Sequence, residues 1–319
     1  MILEIHHETR LEYSLPVVES MAEVRMEPVS DDNQSVRSFH LVINPAAEAY
    51  RFNDGFGNRV HHFNLLHSCQ DIRVVAASVV ETHPQRRSLK DSLVAYPLAE
   101  QEIDLSARSF LSFRGPVRRT ERLNPLLEAL QPRPGMSVGE LVISIASYIS
   151  GYFEYAPDVT LASSPIDDVL REGKGVCQDF THLMIALART FGIPARYVSG
   201  YVHRPNKESQ SHAWCEVWLP DLGWYGVDPT NNREVDDHFV KVAIGRDFTD
   251  VPPNKGVYRG KAEEKMFVRV ESLSLNRLPA LSWQDTLPTF EVPLTPIAYS
   301  CHGRDENGGL HQQQEQQQQ

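Results

Sequence analysis

GKGVCQDFTHLMIALARTFGIPARYVSGY (173–201) and, across a polar loop, SHAWCEVWLPDLGWYGVDPTNN (211–232) spell a helix followed by three strands. Phe180, Leu183, Met184, Leu187, Ala188 and Phe191 recur at the spacing of one helical face, which predicts a helix over 177–191 with one stripe in a core. Gly192 is placed to cap its end, and Pro194 forbids continuation. Cys177 therefore opens the helix, behind Gly173 and Gly175, which let the backbone turn sharply and leave the thiol uncrowded. ARYVSGYV, HAWCEVWL and WYGVD read as strands, the last two joined through PDLG.

A thiol attacks a carbonyl effectively only as thiolate, and a helix amino terminus plus a neighbouring imidazolium favours that form. The backbone N–H groups of the same helix start point to where a tetrahedral oxyanion forms. His212 opens a strand whose alternation puts His212, Trp214, Glu216 and Trp218 on one face. Asp228 closes the next strand, immediately before Pro229, which cannot donate to a ladder. For Asp228 to orient the imidazole the two must share a face. That requires Trp218 opposite Trp224, and hence Trp214 opposite Asp228 with His212 on the diagonal. Taken singly, each residue has an ordinary structural explanation: an inert buried cysteine, a structural histidine, a turn aspartate. Jointly, on helix, strand and strand, they match a nucleophile, a base and its orienter.

Before this stretch, residues 1 to 115 read as β-structure, with Ile5, His7, Thr9, Leu11 and Tyr13 alternating with charged neighbours and turn signals at Asp54-Gly55 and Gly57-Asn58. An amino-terminal antiparallel β-sandwich is expected. The period then lengthens to that of helices. VGELVISIASYISGYF (138–153) follows Ser137, with Glu140 completing a capping box, and Ser164-Pro165 opens IDDVLRE. Beyond Asn232, HFVKVAIGRDFTDVPPNKGVYRG and EKMFVRVESL read as strands that complete the sheet of a domain over 116–300. The glutamine-rich tail, 301–319, is too polar to pack and is expected to be disordered. The fold class is α+β.

Thirty-one Lys and Arg against 42 Asp and Glu give a net charge of −11, which disfavours nucleic acid and anionic membrane partners. The first residues, MILEIHHETR, lack the basic segment and apolar run of a secretory signal, and no segment approaches the length of a membrane span. A soluble cytoplasmic protein is expected. Cys69, Cys177, Cys215 and Cys301 are sparse and free of CxxC spacing, which fits a reducing compartment better than a disulfide framework.

The set GVCQD, GIPARYVSGY, HAW and DPT resembles the transglutaminase-like superfamily, specifically its bacterial members with an amino-terminal β-domain. HETRLEYSLPV, NDGFGNRV and VAIGRDFTDVPP extend the resemblance over most of the chain. It implies a papain-like fold with Cys177 as nucleophile, His212 as general base and acid, and Asp228 as orienter, acting on a peptide or protein amide without a cofactor. The superfamily holds cross-linking transglutaminases, proteases and amidases, so fold and triad do not select the reaction. Hydrolysis is favoured, because cross-linking needs a means of excluding water and admitting an amine, and none is visible. Two other classes are weighed: zinc held by Cys177, His212 and Asp228, and a non-catalytic peptide-binding scaffold. Gln178, Trp214 and Tyr155 are secondary candidates for shaping the acyl site or its oxyanion hole. Gln178 and Asp179 are equally read as helix caps and Trp214 as a core aromatic. His182, Cys215, Asp247 and Asp250 are read as structural.

Overall fold

The structure, a computed structural model, describes residues 1–157, 159–205, 210–278 and 311–313. In chain order it contains strands β1 (Ile2–Val24), β2 (Gln34–Asn44), β3 (Ala49–Asn53), β4 (Arg59–Leu65) and β5 (Cys69–Thr82), then helices α1 (Leu105–Arg108), α2 (Asn124–Ala129) and α3 (Val138–Tyr152). Next come β6 (Glu154–Tyr155), α4 (Ile166–Glu172), β7 (Lys174–Gly175) and α5 (Cys177–Thr190). Strands β8 (Ala195–Val202), β9 (Gln210–Leu219), β10 (Gly223–Asp228), β11 (Arg233–Glu234), β12 (Phe239–Gly245), β13 (Asn254–Arg259), β14 (Glu264–Leu275) and β15 (His311–Gln313) complete it. The chain forms two compact units: among the described residues one comprises 1–83, 202–205, 210, 253–278 and 311–313, and the other 84–157, 159–201 and 211–252.

The first unit is an antiparallel sheet of eight strands built about β1. Residues Ile2–Tyr13 of β1 pair with β14 on one side and, as far as Glu12, with β5 on the other, whereas its later half pairs with β4 and β13. The register shifts between Glu12 and Met21, and Glu19 takes a positive φ of 54°, so the strand changes partners within one continuous run. Folding the sheet in this way gives both halves one core, in which Leu11, Tyr13, Phe63, Ile72, Tyr258 and Met266 are buried. Tyr13 and Tyr258 meet edge to face at 4.9 Å.

Two expectations are corrected here. EKMFVRVESL does not complete the second unit's sheet: β14 pairs with the first half of β1 and β13 with its second half. Alternation defines a strand and its faces but not its partner. Residues 84–115 also leave the β-unit, because their single turns dock on the helical side. The Val138 N–H donates to the Val94 carbonyl at 2.8 Å, and a Cβ on Gly139 would lie 2.1 Å from the Leu89 carbonyl oxygen. In the tail, His311–Gln313 pairs with Gly256–Tyr258. The remainder of the expected disordered tail lies outside the described residues.

The second unit is a five-stranded sheet in the order β11-β10-β9-β8-β12, with the helices packed against it. Ser137 and Glu140 cap α3 reciprocally, at 3.1 and 2.8 Å. Helix α5 is buried on every side from Cys177 to Arg189, so it is the central helix rather than a surface one with a single apolar stripe. Its last turn is fixed by Arg189, whose guanidinium donates to the carbonyls of Ser112, Ala195 and Arg246. Gly192 supplies the positive φ, 76°, that turns the chain into β8.

Candidate active site

Cys177 is the first residue of α5 and is buried. The turn before it is built by three contacts. Gly173, at φ 69°, ends α4. β7 then pairs in parallel with β6. The Val176 N–H donates to Asp179 Oδ2 at 2.9 Å, where Asp179 also accepts the Thr160 hydroxyl at 2.6 Å. A Cβ on Gly175 would lie 2.8 Å from that same carboxylate oxygen, so only glycine lets the cap close. Burial raises the Asp179 carboxyl above its usual range, against the opposing effect of these two donors. Asp179 is thus the cap of the helix, one of the two roles its sequence position allows.

His212 and Asp228 come together on β9 and β10. Trp218 pairs with Trp224, and the ladder continues to Cys215 opposite Val227, one step short of Trp214 and Asp228. That is the register in which the two side chains share a face. His212 Nε2 lies 2.8 Å from Asp228 Oδ2, and Cys177 lies near enough to the same imidazole to favour its charged form. Burial disfavours the imidazolium, but the charge and hydrogen bond of Asp228, with the help of Cys177, outweigh it and lift the His212 pKa to about 10. Asp228 is fully buried, yet His212 and Asn231 hold its carboxyl below the usual carboxylate range.

Sequence reasoning missed the clamp around Asp228. Its Oδ1 accepts the Thr230 and Asn231 backbone N–H groups at 2.9 and 3.3 Å, and its Oδ2 accepts the Asn231 side-chain amide at 2.6 Å. An aspartate that bonds the backbone two and three residues on is the habit of the Asx turn, so DPTN carried that signal. Phe239 was missed as well. Its ring stands 6.2 Å from His212 and 5.3 Å from Trp214, walling the imidazole from the β12 side.

Trp214 lies in the core beside His212, with ring centroids 6.5 Å apart, and its indole N–H has no partner. Gln178 is buried next to Cys177. Its amide donates to the Ala162 carbonyl at 2.6 Å, and its Oε1 is unpartnered. Tyr155 pairs with Gly175, two residues before Cys177, and its ring meets Phe180 edge to face. The remaining candidates are placed as structural groups. His182 accepts the Phe248 N–H at 3.1 Å, with its pKa lowered to about 3 by burial. Cys215 is buried, which pushes its thiol up. Asp247 and Asp250 form the turn that α5's Arg189 reaches through the Arg246 carbonyl.

The geometry does not suit zinc at Cys177, His212 and Asp228. Asp228 already takes one imidazole nitrogen at 2.8 Å, and the ligand atoms of Cys177, His212 and Asp228 do not gather within 4.8 Å of one another. Among the described residues, the acidic and imidazole groups whose ligand atoms do converge are Asp236, Asp237 and His238, within 4.8 Å of one another.

The family model described as the transglutaminase-like superfamily matches residues 129–229, and that of the bacterial transglutaminase-like N-terminal region matches residues 3–81. An uncharacterised protein of Mycobacterium leprae is 33% identical over 278 residues, covering 84% of this chain and 97% of its own. A protein-glutamine gamma-glutamyltransferase of Pseudomonas aeruginosa is 27% identical over 46% of this chain, which is 25% of that enzyme. Among solved structures, a candidate cysteine protease from Cytophaga hutchinsonii superimposes with a TM-score of 0.70 at 25% identity, covering 89% of this chain and 94% of that one.

Proposed function

Because this chain belongs to the transglutaminase-like superfamily, we propose that it is a thiol-dependent enzyme that cleaves or transfers the acyl group of a peptide or protein amide. The observation that carries the reading is Cys177 at the start of α5 beside the buried His212–Asp228 pair, itself closed at 2.8 Å. The Cys177 sulfur attacks the amide carbonyl, and backbone N–H groups at the start of α5 receive the oxyanion. The C–N bond breaks as the His212 imidazolium gives its proton to the leaving amine, and a thioester remains. Water then attacks the thioester, His212 takes its proton, and the acid leaves as the thiol is restored. Asp228 keeps the imidazole in one orientation and stabilises its positive form throughout.

Water is the acceptor we favour, and the likeness to a candidate cysteine protease across most of both chains supports it. Amine transfer is the second reading, supported by the shorter match to a protein-glutamine gamma-glutamyltransferase. Incubating the purified protein with a panel of peptide amides, with and without a primary amine, separates the two by product mass. Hydrolysed peptide in both tubes is the expected result, and amine adducts would favour transfer. Cys177→Ala is expected to abolish turnover and labelling by a thiol alkylator. Selective labelling of Cys69 or Cys301 with turnover intact would sink the assignment.

A further inference from the structure

A groove of about 660 Å³ opens in the β-unit, lined by Glu27 and Pro28, by β2, and by residues of β3 and β4. Its two walls differ in kind. From β2 it takes consecutive residues, Val36 to Leu41, whereas β3 and β4 contribute alternate ones, Ala49 and Arg51, Arg59 and His61. Alternate residues make up one face of a strand, and consecutive residues border a strand's edge. The groove therefore meets β2 edge-on. Among the described residues β2 pairs with β5 alone and β3 with β4 alone, so both are edge strands. An unpaired edge offers backbone N–H and C=O groups to any extended chain laid along it, here from Arg37 onward, since the Val36 N–H is already given to the Ser30 hydroxyl at 3.0 Å.

The side chains around that edge carry positive charge on a chain whose net charge is −11. Arg37, Arg51 and Arg59 line the groove together with His40 and His61, against the one carboxylate of Glu27. Arg51 is taken up by Glu27, while Arg59 donates to the neutral Asn53 amide at 2.5 Å. Arg37 sits at the irregularity between Val36 and Ser38, and its half-exposed guanidinium is paired with Glu81 of β5. His61 is 6% exposed, is stacked on Phe39 at 5.1 Å, and has an Nδ1 with no partner. The Ser38 hydroxyl, at the same wall, is likewise buried and unpartnered.

We propose that this groove binds an extended, carboxylate-bearing segment of a second protein by strand addition to β2, its acidic side chains meeting Arg59 and displacing the exposed Glu81 from Arg37. Main-chain hydrogen bonds along β2 give the affinity, and alternate side chains facing the guanidiniums give the selection. The proposal is independent of the chemistry at Cys177. It gives the β-unit a recruiting role toward acidic, strand-forming partners.

The test uses the full-length protein and three labelled peptides of alternating Thr and Glu, Thr and Lys, and the Thr-Glu sequence with central proline substitutions. Fluorescence anisotropy is expected to show saturable binding of the Thr-Glu peptide. The lysine and proline versions are expected to bind at least about tenfold more weakly, as is the Thr-Glu peptide to the Arg37→Glu/Arg59→Glu variant. Amide hydrogen exchange should show that those amides of Arg37–Leu41 not bonded to β5 exchange fast and become protected on adding the Thr-Glu peptide. Equal binding of all three peptides, or no binding, overturns the proposal. Protection of those amides in the free protein would assign the groove to the chain's own segment if independent of protein concentration, and to a second copy if it grew with concentration. Either result overturns recruitment of an acidic partner.

Discussion

Asp228 is the residue on which the proposed chemistry is most dependent. Asp228→Asn keeps the side chain's size and its backbone acceptor, but removes the charge that holds His212 as imidazolium. A fall in kcat of about 10²- to 10⁴-fold is expected, with the alkaline limb of the pH profile moving down from near 10. An unchanged alkaline limb would assign that limb to another group. The same pair sets a stability window. His212 has its folded pKa raised from 6.5 to about 10, so its stabilisation is complete below 6.5 and is lost as pH rises through about 10. Asp228 is held below its ordinary 3.8, so its contribution is present above 3.8 and is lost as pH falls below it. The melting temperature of the wild type relative to His212→Gln is therefore expected to be highest between those limits and to converge on either side. Cys177, His212 and Asp228 were legible because each sits at a local signal: a glycine-flanked helix start, an alternating strand, a residue before proline. Asn231 and Phe239 were not legible as partners, since their role depends on the fold of a turn and on which strand lies beside β9.

At the scale of elements, the entry into α5 and the place where Gly200 of β8 meets Val240 of β12 and the Trp214 ring are two of the tight points. Gly175→Ala puts a methyl group 2.8 Å from Asp179 Oδ2 and opens the cap of the helix that begins with Cys177. Turnover is expected to fall more than stability does, because the shift is centred on the nucleophile; assays of kcat alongside thermal melting would show the split. Gly200→Ala acts on packing instead. Its Cβ would meet the Val240 carbonyl oxygen at 2.1 Å and the Trp214 ring at 2.6 Å, which is expected to cost about 1–3 kcal/mol or more, measured by denaturant unfolding. The register of β9 on β10 was readable from alternation together with the demand that His212 and Asp228 share a face, because a slip of one residue would part them. The ends of α4 and α5 were readable to within a residue: Pro165 proved to be the N-cap of α4, not its first residue, and α5 ends at Thr190. The partners of β13 and β14 were not readable. Nothing in an alternating strand states which edge it joins, and these two join one that lies some 240 residues earlier in the chain.

That long-range pairing governs the molecule as a whole. A fragment of residues 1–115 contains the whole of the expected β-domain, yet it lacks β13 and β14, two of the four strands that flank β1, along with Tyr258 and Met266 from its core. Such a fragment is expected to be insoluble or to lack a cooperative melting transition, whereas adding residues 253–278 in trans should recover strand signal in circular dichroism. A stable, cooperatively melting 1–115 fragment would contradict the account of the core. The first unit is also entered three times by the chain, and the segment 202–210 that joins β8 to β9 belongs to it. The order of synthesis then takes on importance. β5 ends at Thr82 and β14 begins at Glu264, so at about 5–20 residues per second the ribosome needs on the order of 10–40 s to deliver the second neighbour of the first strand. During that interval one side of β1 stays open while the entire thiol-bearing unit emerges and folds. Nascent chains arrested before residue 264 are expected to bind chaperone through this open edge, and chains arrested well beyond residue 275 to release it.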